Sequence, residues 1–339
     1  MSEGSRRGQG LHFDARTLEL LRRFSWEGEK GETLYRALSL RPDLTVIDVG
    51  CGSGAFTRVL ARKLDPNRGG RIIGVDRDPR LLGVARRITK DEGLDDRLVS
   101  FTEGDAQDLP FPENSADRVV CQAVLWLMND EQRSRTLSEM IRVCKVGGIV
   151  AAVEGAIDTS ISYIPSRPRL SELRAKEYAA QLQGYHRLYG YDRNIGVKLP
   201  ALFHRLGLER VRLDGVADVR LRSDDRIPEQ HKLEEGHHSE SMNKALLSRI
   251  AAARSENESK TLIEQEEPAL IAGGMVWEEV LELARLYDDY IGATLRSASE
   301  IATDDSVHGH VVFVTSGLKP KKTGKKREGR MPSSNLGCS

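Results

Sequence analysis

Residues 46–56 read Val-Ile-Asp-Val-Gly-Cys-Gly-Ser-Gly-Ala-Phe, a short apolar strand pattern that runs into a turn with three glycines. The glycines are Gly50, Gly52 and Gly54, and a helical pattern follows them. Glycine permits a tight turn and lets a ligand approach the main chain. A helix behind such a turn offers free N–H groups and the positive end of its dipole. The stretch therefore predicts a nucleotide-type binding loop between a strand and a helix.

The same alternation of strand and helix patterns continues on both sides of this loop. Strand patterns occur at 45–49, 71–76, 98–103, 116–121, 148–154, 210–221 and 310–316, and helical patterns near 14–24, 29–40, 55–63, 79–92, 130–144 and 197–206. Such alternation is typical of a parallel sheet with helices on both faces. We therefore expect an α/β fold.

Composition excludes several classes of protein. The chain has 339 residues, with 51 Lys and Arg against 51 Asp and Glu, and 39% of its residues are hydrophobic. These values exclude a collagen-like, disulfide-rich or wholly disordered chain. Seven basic residues lie from Lys319 onward, so the rest of the chain is net acidic, unlike a basic nucleic-acid-binding domain. The four cysteines form no CxxC pair and HExxH is absent, so no metal site is expected.

The apolar runs are short, as in 149–153, and the first twenty residues have no apolar signal-peptide core. A membrane-spanning helix needs about 20 apolar residues, so we expect no membrane span. These features favour a soluble, cytoplasmic protein.

Three carboxylates follow the pattern of strand ends. Asp48 precedes the first glycine by two residues, Asp76 ends the second strand pattern, and Asp105 ends the third. An acid at the end of the second strand can hold ribose hydroxyls, and the loop also fits the dinucleotide pattern G-x-G-x-x-A through Ala55. At this point an NAD-dependent oxidoreductase remains an alternative.

Longer motifs are similar to those of a known family. VIDVGCGSG, IIGVDRDPRLL, FTEGDAQDLPFPENSADRVVC and LSEMIRVCKVGGIVAAVE follow one another over roughly residues 44–155. Together they resemble the class I S-adenosylmethionine-dependent methyltransferases, and GHVVFVTSGLKP looks like that family's last strand. The resemblance implies a Rossmann-like, mostly parallel seven-stranded sheet with one antiparallel strand and helical cap insertions. It also implies S-adenosyl-L-methionine as cofactor and disfavours the oxidoreductase.

The resemblance implies residues for the methionine side of the cofactor. Gly50, Gly52 and Gly54 would line the methionine moiety. Asp48 would hold its ammonium group, with capping of the glycine loop as the alternative role. Gln122, just after the fourth strand, would lie beside the sulfonium.

The resemblance also implies residues for the nucleoside side. Asp76 would bind the ribose and Asp105 the adenine, with a backbone contact from Ala106. Arg77 would flank the adenine. Cys51 belongs to the same binding loop and is expected to pack there rather than to act as a nucleophile.

The acceptor is expected to be a small molecule, because the chain lacks the NPPY, Pro-Cys and paired-glutamate signatures of several macromolecule methyltransferases. It is similar to quinone-biosynthesis and natural-product methyltransferases. Glu154, at the end of the fifth strand, is the first candidate for a substrate-contacting acid or base, and His186 is the second. Trp126 is either a core residue or a pocket wall. In the resemblance, Arg193 and Asn194 face the pocket.

The tyrosines between 163 and 191 either line the acceptor pocket or pack a helical lid. Two other functions remain open, namely a methyltransferase acting on RNA or protein and a cofactor-binding protein without transferase activity. The acceptor atom, whether oxygen, sulfur, nitrogen or carbon, also remains open.

We expect an N-terminal helical lid over 1–43 and a methyltransferase domain over 44–318 with cap insertions near 156–195 and 222–306. A disordered basic tail is expected over 319–339, either as a weak nucleic-acid-binding arm or as a solvated terminus.

Overall fold

The structure is a computed structural model. It describes residues 15, 18–19, 26, 29–223, 244–294, 301, 304 and 306–321. Most of the helix predicted near 14–24 and most of the basic tail lie outside these residues, as does the stretch with His231, His237 and His238.

Eight strands form one sheet. They are β1 Thr45–Val49, β2 Arg71–Asp76, β3 Val99–Glu103, β4 Ala116–Gln122, β5 Cys144–Gly155, β6 Ile161–Tyr163, β7 Glu209–Leu221 and β8 Val307–Leu318. The order across the sheet is β3-β2-β1-β4-β5-β8-β7, and the short β6 pairs with β8 beyond the end of β5. β1 to β5 are parallel, whereas β8 runs antiparallel to β5 and to β7. The predicted α/β class with one antiparallel strand is confirmed, with β6 as an addition.

Nine helices are bounded within the described residues. They are α1 Glu29–Ala37, α2 Ala55–Ala61, α3 Pro79–Asp91, α4 Asp130–Val143, α5 Pro168–Tyr189, α6 Ile195–Arg205, α7 Glu256–Glu266, α8 Pro268–Ala272 and α9 Trp277–Thr294. The Asp78 side chain caps α3, and Asn129 forms a reciprocal capping box with Gln132 at the start of α4. Such side chains satisfy N–H groups that have no partner within the helix.

Alternate residues of the central strands feed two cores, one on each face of the sheet. Val46 belongs to the first core, whereas its neighbour Ile47 belongs to the second, as the two-residue period of a strand requires. Trp26 and Leu34 belong to the first core and are 2% and 0% exposed. The region expected as an N-terminal lid therefore contributes α1 to the core of the domain, because its apolar side chains are buried against the sheet.

The helices after β6 and β7 share a third core, which includes Leu173, Leu270 and Leu283. The backbones of α5 and α8 lie in direct contact, since a Cβ on Gly184 would be 1.7 Å from the Ala269 carbonyl oxygen. Segments from both expected insertions thus form one helical cap. No helix within the described ranges is long and apolar enough to cross a membrane.

The start of the expected tail is part of the fold. The Lys319 ammonium donates to the Cys144 carbonyl at 2.7 Å and to Asn114 Oδ1 at 3.0 Å, and the Lys319 N–H donates to Gly148 at 3.0 Å. Lys319, the first residue of the expected tail, therefore satisfies backbone and side-chain acceptors beside β5.

Arg118 on β4 joins the sheet to the end of α1, and we predict that its loss destabilises the domain. Its buried guanidinium donates to the carbonyls of Leu38 at 2.6 Å and Ser39 at 3.0 Å. Arg118→Met should lower the free energy of unfolding by about 2–4 kcal/mol, because both acceptors lose their donors. Urea unfolding measures this change. The exposed Arg87 supplies the control, and an equal loss in Arg87→Met would contradict the assignment.

Candidate functional site

The glycine loop after β1 requires glycine at specific positions. Gly50, Gly52 and Gly54 have φ angles of 71°, 55° and 79°, a region that favours glycine. A Cβ on Gly50 would be 2.5 Å from a methyl of Val124. The Gly50 and Cys51 N–H groups donate to the Val75 carbonyl at 2.7 and 2.9 Å. The loop is therefore fixed between the end of β2 and the segment after β4.

Asp76 connects this loop to the end of β2. Its Oδ2 accepts a hydrogen bond from the Gly52 N–H at 2.8 Å, and its Oδ1 accepts one from the Asp78 N–H at 2.9 Å. Each oxygen of an ionised carboxylate can accept more than one hydrogen bond, and the residue is half-buried. Asp76 can therefore hold the loop and accept from a diol at the same time.

Asp48 lies beneath the loop and is 1% exposed. Its Oδ2 accepts a hydrogen bond from the Thr57 hydroxyl on α2 at 2.6 Å. Thr57 thus stabilises an anionic form in an interior position. A buried carboxylate at this position attracts a cation and repels a phosphate.

The nucleoside-side residues lie at neighbouring strand ends. The Gly104 N–H donates to the Asp76 carbonyl at 3.1 Å, so Asp105 follows directly beside β2. The Asp105 side chain is exposed and accepts from the Gln107 N–H at 2.8 Å. Ala106 is half-buried, and Arg77 is exposed immediately after Asp76. The predicted ribose and adenine residues are therefore brought to one edge of the sheet.

The end of β4 contains a strained residue that the sequence does not reveal. Gln122 is 8% exposed, and Ala123 after it has a φ of 53°. The Ala123 N–H donates to the Val153 carbonyl at 2.9 Å, which fixes this conformation. Non-glycine residues with positive φ often occur at functional sites. β4 neighbours β1 through the Val49–Cys121 pair, so this turn faces the glycine loop.

Glu154, the first candidate acid or base, has a buried side chain. Its carboxylate is 1% exposed, and Oε1 accepts hydrogen bonds from the N–H groups of Val124 at 2.9 Å and Leu125 at 2.7 Å. A substrate-contacting acid or base needs an accessible carboxylate. This one is buried against the backbone, so the geometry supports a positioning role for the turn after β4.

Two further contacts fix that turn. The buried Arg133 guanidinium donates to the carbonyls of Leu125 at 3.1 Å and Met128 at 2.5 Å. The Asp192 N–H donates to the Trp126 carbonyl at 3.0 Å. The turn at Leu125–Leu127 is therefore held from β5, from α4 and from the segment that follows α5.

Trp126 on this turn is the centre of an aromatic group at the junction of cap and sheet. The ring of Tyr185 lies 6.2 Å from it at an interplanar angle of 83°, and the ring of Tyr191 lies 6.1 Å from it at 80°. Tyr189 contacts both tyrosines, at 6.1 and 5.2 Å. The Arg193 guanidinium lies 4.7 Å from the Trp126 ring centre. We call the four rings of Trp126, Tyr185, Tyr189 and Tyr191 the aromatic platform.

His186, the second catalytic candidate, is not brought together with Glu154 by any described contact. It is exposed in the last turn of α5, and its side chain makes no hydrogen bond within the described part of the structure. The sequence reasoning missed Ala123, directly after β4, and Arg133, on α4. Neither belongs to a recognisable motif.

The described residues contain no cluster of three or more His, Cys, Asp or Glu side chains that could hold a metal ion.

Behind the platform lies an acidic pair, Glu177 and Glu267. Burial and the nearby charge of Glu177 raise the pKa of Glu267 to about 7.

The chain is similar to known methyltransferases. Residues 46–148 match the family described as "Methyltransferase domain". Methyltransferase GfsG of Streptomyces halstedii is 31% identical over 192 residues, which cover 55% of this chain and 60% of that protein. The demethylmenaquinone methyltransferase of Symbiobacterium thermophilum is 38% identical over 117 residues, 34% of this chain and 44% of that enzyme. The Bacillus cereus (strain ATCC 10987 / NRS 248) enzyme of the same name is 31% identical over 196 residues, 55% of this chain and 80% of that enzyme.

A crystal structure of a SAM-dependent methyltransferase from Aquifex aeolicus aligns with a TM-score of 0.43 and 18% identity, covering 60% of this chain and 91% of that chain. The chain thus spans less than two thirds of the length of GfsG and of the Symbiobacterium enzyme.

Glu154→Ala and Glu154→Gln should separate a positioning role from an acid–base role. The alanine variant leaves two buried N–H groups without their acceptor and should lose about 2–4 kcal/mol of unfolding free energy. Glutamine retains an acceptor oxygen and should lose about 1 kcal/mol or less. Urea unfolding measures both values, and an equally large loss in Glu154→Gln would show that the negative charge itself is needed.

Glu267 should make the stability of the cap depend on pH. Its pKa is about 7 when folded against an ordinary 4.5, so the folded chain binds a proton more tightly than the unfolded chain. The associated stability is present below pH 4.5 and falls until about pH 7, by on the order of 2–3 kcal/mol. Glu267→Gln should abolish this fall in unfolding curves measured between pH 5 and pH 8. The same slope in the variant would assign it to another group.

Proposed function

We propose that this chain, which belongs to the class I S-adenosylmethionine-dependent methyltransferases, transfers a methyl group from S-adenosylmethionine to a small-molecule acceptor. One observation carries the proposal, namely the Asp76 carboxylate bound to the Gly52 N–H at 2.8 Å. This bond joins the acid that can bind a ribose to the loop that can receive a methionine moiety.

The residues present fit this cofactor. Asp76 has the acceptor capacity for a ribose diol, Asp48 supplies a buried negative charge for an ammonium group, and Asp105 supplies an exposed acceptor for an adenine amino group. The Gly50 loop follows β1, and Gln122 ends the neighbouring strand β4. When bound, S-adenosylmethionine supplies a methyl group activated by a positively charged sulfur.

The contribution of the chain to the reaction is orientation and exclusion of water. Methyl transfer needs the acceptor atom in line with the methyl group, and correct placement alone can supply much of the rate enhancement. The turn after β4 is held by Glu154, Arg133 and the Asp192 N–H. A rigid wall of this kind is suited to hold an acceptor beside the cofactor.

The names of the relatives support a small acceptor. The Bacillus cereus relative is a demethylmenaquinone methyltransferase, and we infer that this chain acts on a molecule of comparable chemical type. The helical cap over the strand ends supports the same class, because caps of this kind enclose small ligands. A nucleic-acid contact through the tail and a cytoplasmic location stay predictions, to be checked by filter binding and by cell fractionation.

A methyl-transfer assay tests the proposal. The cofactor carries a labelled methyl group, the acceptors are pooled phenols, quinols and thiols, and total RNA is assayed in parallel. Label should appear in the small-molecule pools and should be absent when the cofactor is omitted. Label found only in RNA would contradict the small-molecule class. Binding of S-adenosylhomocysteine with no transfer to any pool would support the alternative of a cofactor-binding protein.

Asp76→Ala should weaken binding of S-adenosylhomocysteine about a hundredfold or more, because two charge-assisted hydrogen bonds of about 1.5–3 kcal/mol each are lost. Titration calorimetry measures the affinity. Asp96→Ala, which removes an exposed carboxylate distant in sequence from the loop, is the control and should leave the affinity unchanged. A loss below threefold in Asp76→Ala, or tight binding of NAD without S-adenosylhomocysteine, would overturn the cofactor assignment.

A further inference from the structure

Arg193 is an unusual cation at the junction of cap and sheet. Its guanidinium lies over the Trp126 ring at 4.7 Å and over the Tyr185 ring at 5.6 Å. Its side chain makes a single hydrogen bond, from Nη2 to Gln181 Oε1 at 3.1 Å, and it forms no ion pair with any described carboxylate. A guanidinium has five N–H donors, so most of its capacity is unused within the described residues.

The nearest acid is already occupied. Glu177 accepts a hydrogen bond from Gln181 Nε2 at 2.8 Å and forms an ion pair with Arg174. Gln181 therefore separates Glu177 from Arg193, since its amide donates to one and accepts from the other. Burial lowers the pKa of Arg193, which reports the cost of a cation that is removed from water without a bonded anion.

The position of Arg193 relates it to the cofactor residues. Trp126 lies on the turn whose first residue, Val124, packs against Gly50. Burial raises the pKa of the Tyr191 hydroxyl on the platform, and the positive charge of Arg77 opposes this rise. Arg77 directly follows Asp76. The platform therefore lies between the cap and the strand ends expected to bind the cofactor.

We propose that Arg193 and the aromatic platform form the acceptor site, and that the acceptor is a planar aromatic molecule bearing an acidic group. This inference rests on the proposed methyl transfer. The planar fork of a guanidinium pairs with a carboxylate in two parallel hydrogen bonds. The ring faces of Trp126 and the tyrosines favour a flat, aromatic ligand, and the charge of Arg193 disfavours a cationic one.

Binding of three probes to the full chain saturated with S-adenosylhomocysteine tests the ligand class. The probes are 1-hydroxy-2-naphthoate, which is planar and anionic, 1-naphthol, which is planar and neutral, and cyclohexanecarboxylate, which is anionic but not planar. Calorimetry should give the tightest binding for 1-hydroxy-2-naphthoate, by about tenfold or more over each of the others, because only it satisfies both the fork and the rings. Equal affinity for 1-naphthol, or no binding of 1-hydroxy-2-naphthoate at millimolar concentration, overturns the proposal.

Variants test the residue. Arg193→Gln should weaken 1-hydroxy-2-naphthoate about tenfold or more and bring its affinity to that of 1-naphthol, and Arg193→Lys should restore little of the loss because lysine lacks the planar fork. Arg205→Gln is the matched control, since it removes one exposed positive charge from the end of α6. An equal loss in Arg205→Gln, or none in Arg193→Gln, contradicts the assignment.

The affinity for S-adenosylhomocysteine separates this inference from the proposed function. It should stay within about threefold of the parent value in Arg193→Gln, which also shows that the variant is folded. If the parent chain does not bind S-adenosylhomocysteine, the proposed function fails. If it binds and 1-hydroxy-2-naphthoate does not depend on Arg193, only the acceptor assignment fails.

Discussion

The buried carboxylate of Glu154 is the contact on which the functional edge of the sheet depends. It accepts two backbone N–H groups at the start of the turn after β4, a turn that has left the sheet and cannot satisfy those groups by strand pairing. Val124 at the start of the turn packs against Gly50 of the glycine loop, and Trp126 within the turn contacts Tyr185 of the cap. Together with Arg133 and the Asp192 N–H, the Glu154 side chain fixes the turn that lies between the glycine loop and the aromatic platform.

The acidic side chains of the site also have hydrogen-bond partners nearby. Asp48 is paired with the Thr57 hydroxyl, and Asp76 is paired with two loop N–H groups. Both acids are held in place before any ligand binds, so little reorganisation is needed afterwards. Arg193 is different, because the surrounding rings and Gln181 orient it without neutralising it.

The sequence was sufficient for the central part of the fold because its signals are local. β1 and β2 have the predicted bounds to the residue, since each is a short apolar run next to a turn of glycine or an aspartate cap. β6 was missed, because three residues have no readable period and owe their conformation to pairing with β8. Lys319 was assigned to the tail by composition, although its ammonium reaches acceptors that lie some 200 residues earlier in the chain, such as Asn114.

The same distinction applies to the site. The motif identifies the strand-end acids and glycines, but it does not predict what each of these side chains contacts. Glu154 is a strand-end acid like Asp76 in sequence, and only the path of the chain 30 residues earlier makes it a buried acceptor for Leu125. The stacking of Arg193 likewise depends on where the cap places α5, which no local pattern indicates.

The place of β8 has a consequence for the order in which the protein can fold during synthesis. β8 lies between β5 and β7 and is made about ninety residues after β7. In the described sheet β7 pairs with no other strand, so a nascent chain that has passed through the cap still presents β7 with both edges open. Its side chains Leu213, Val219 and Leu221 are apolar and exposed even in the finished domain. The interval before β8 emerges from the ribosome is therefore the period in which this chain is most exposed to misassociation with other open strands.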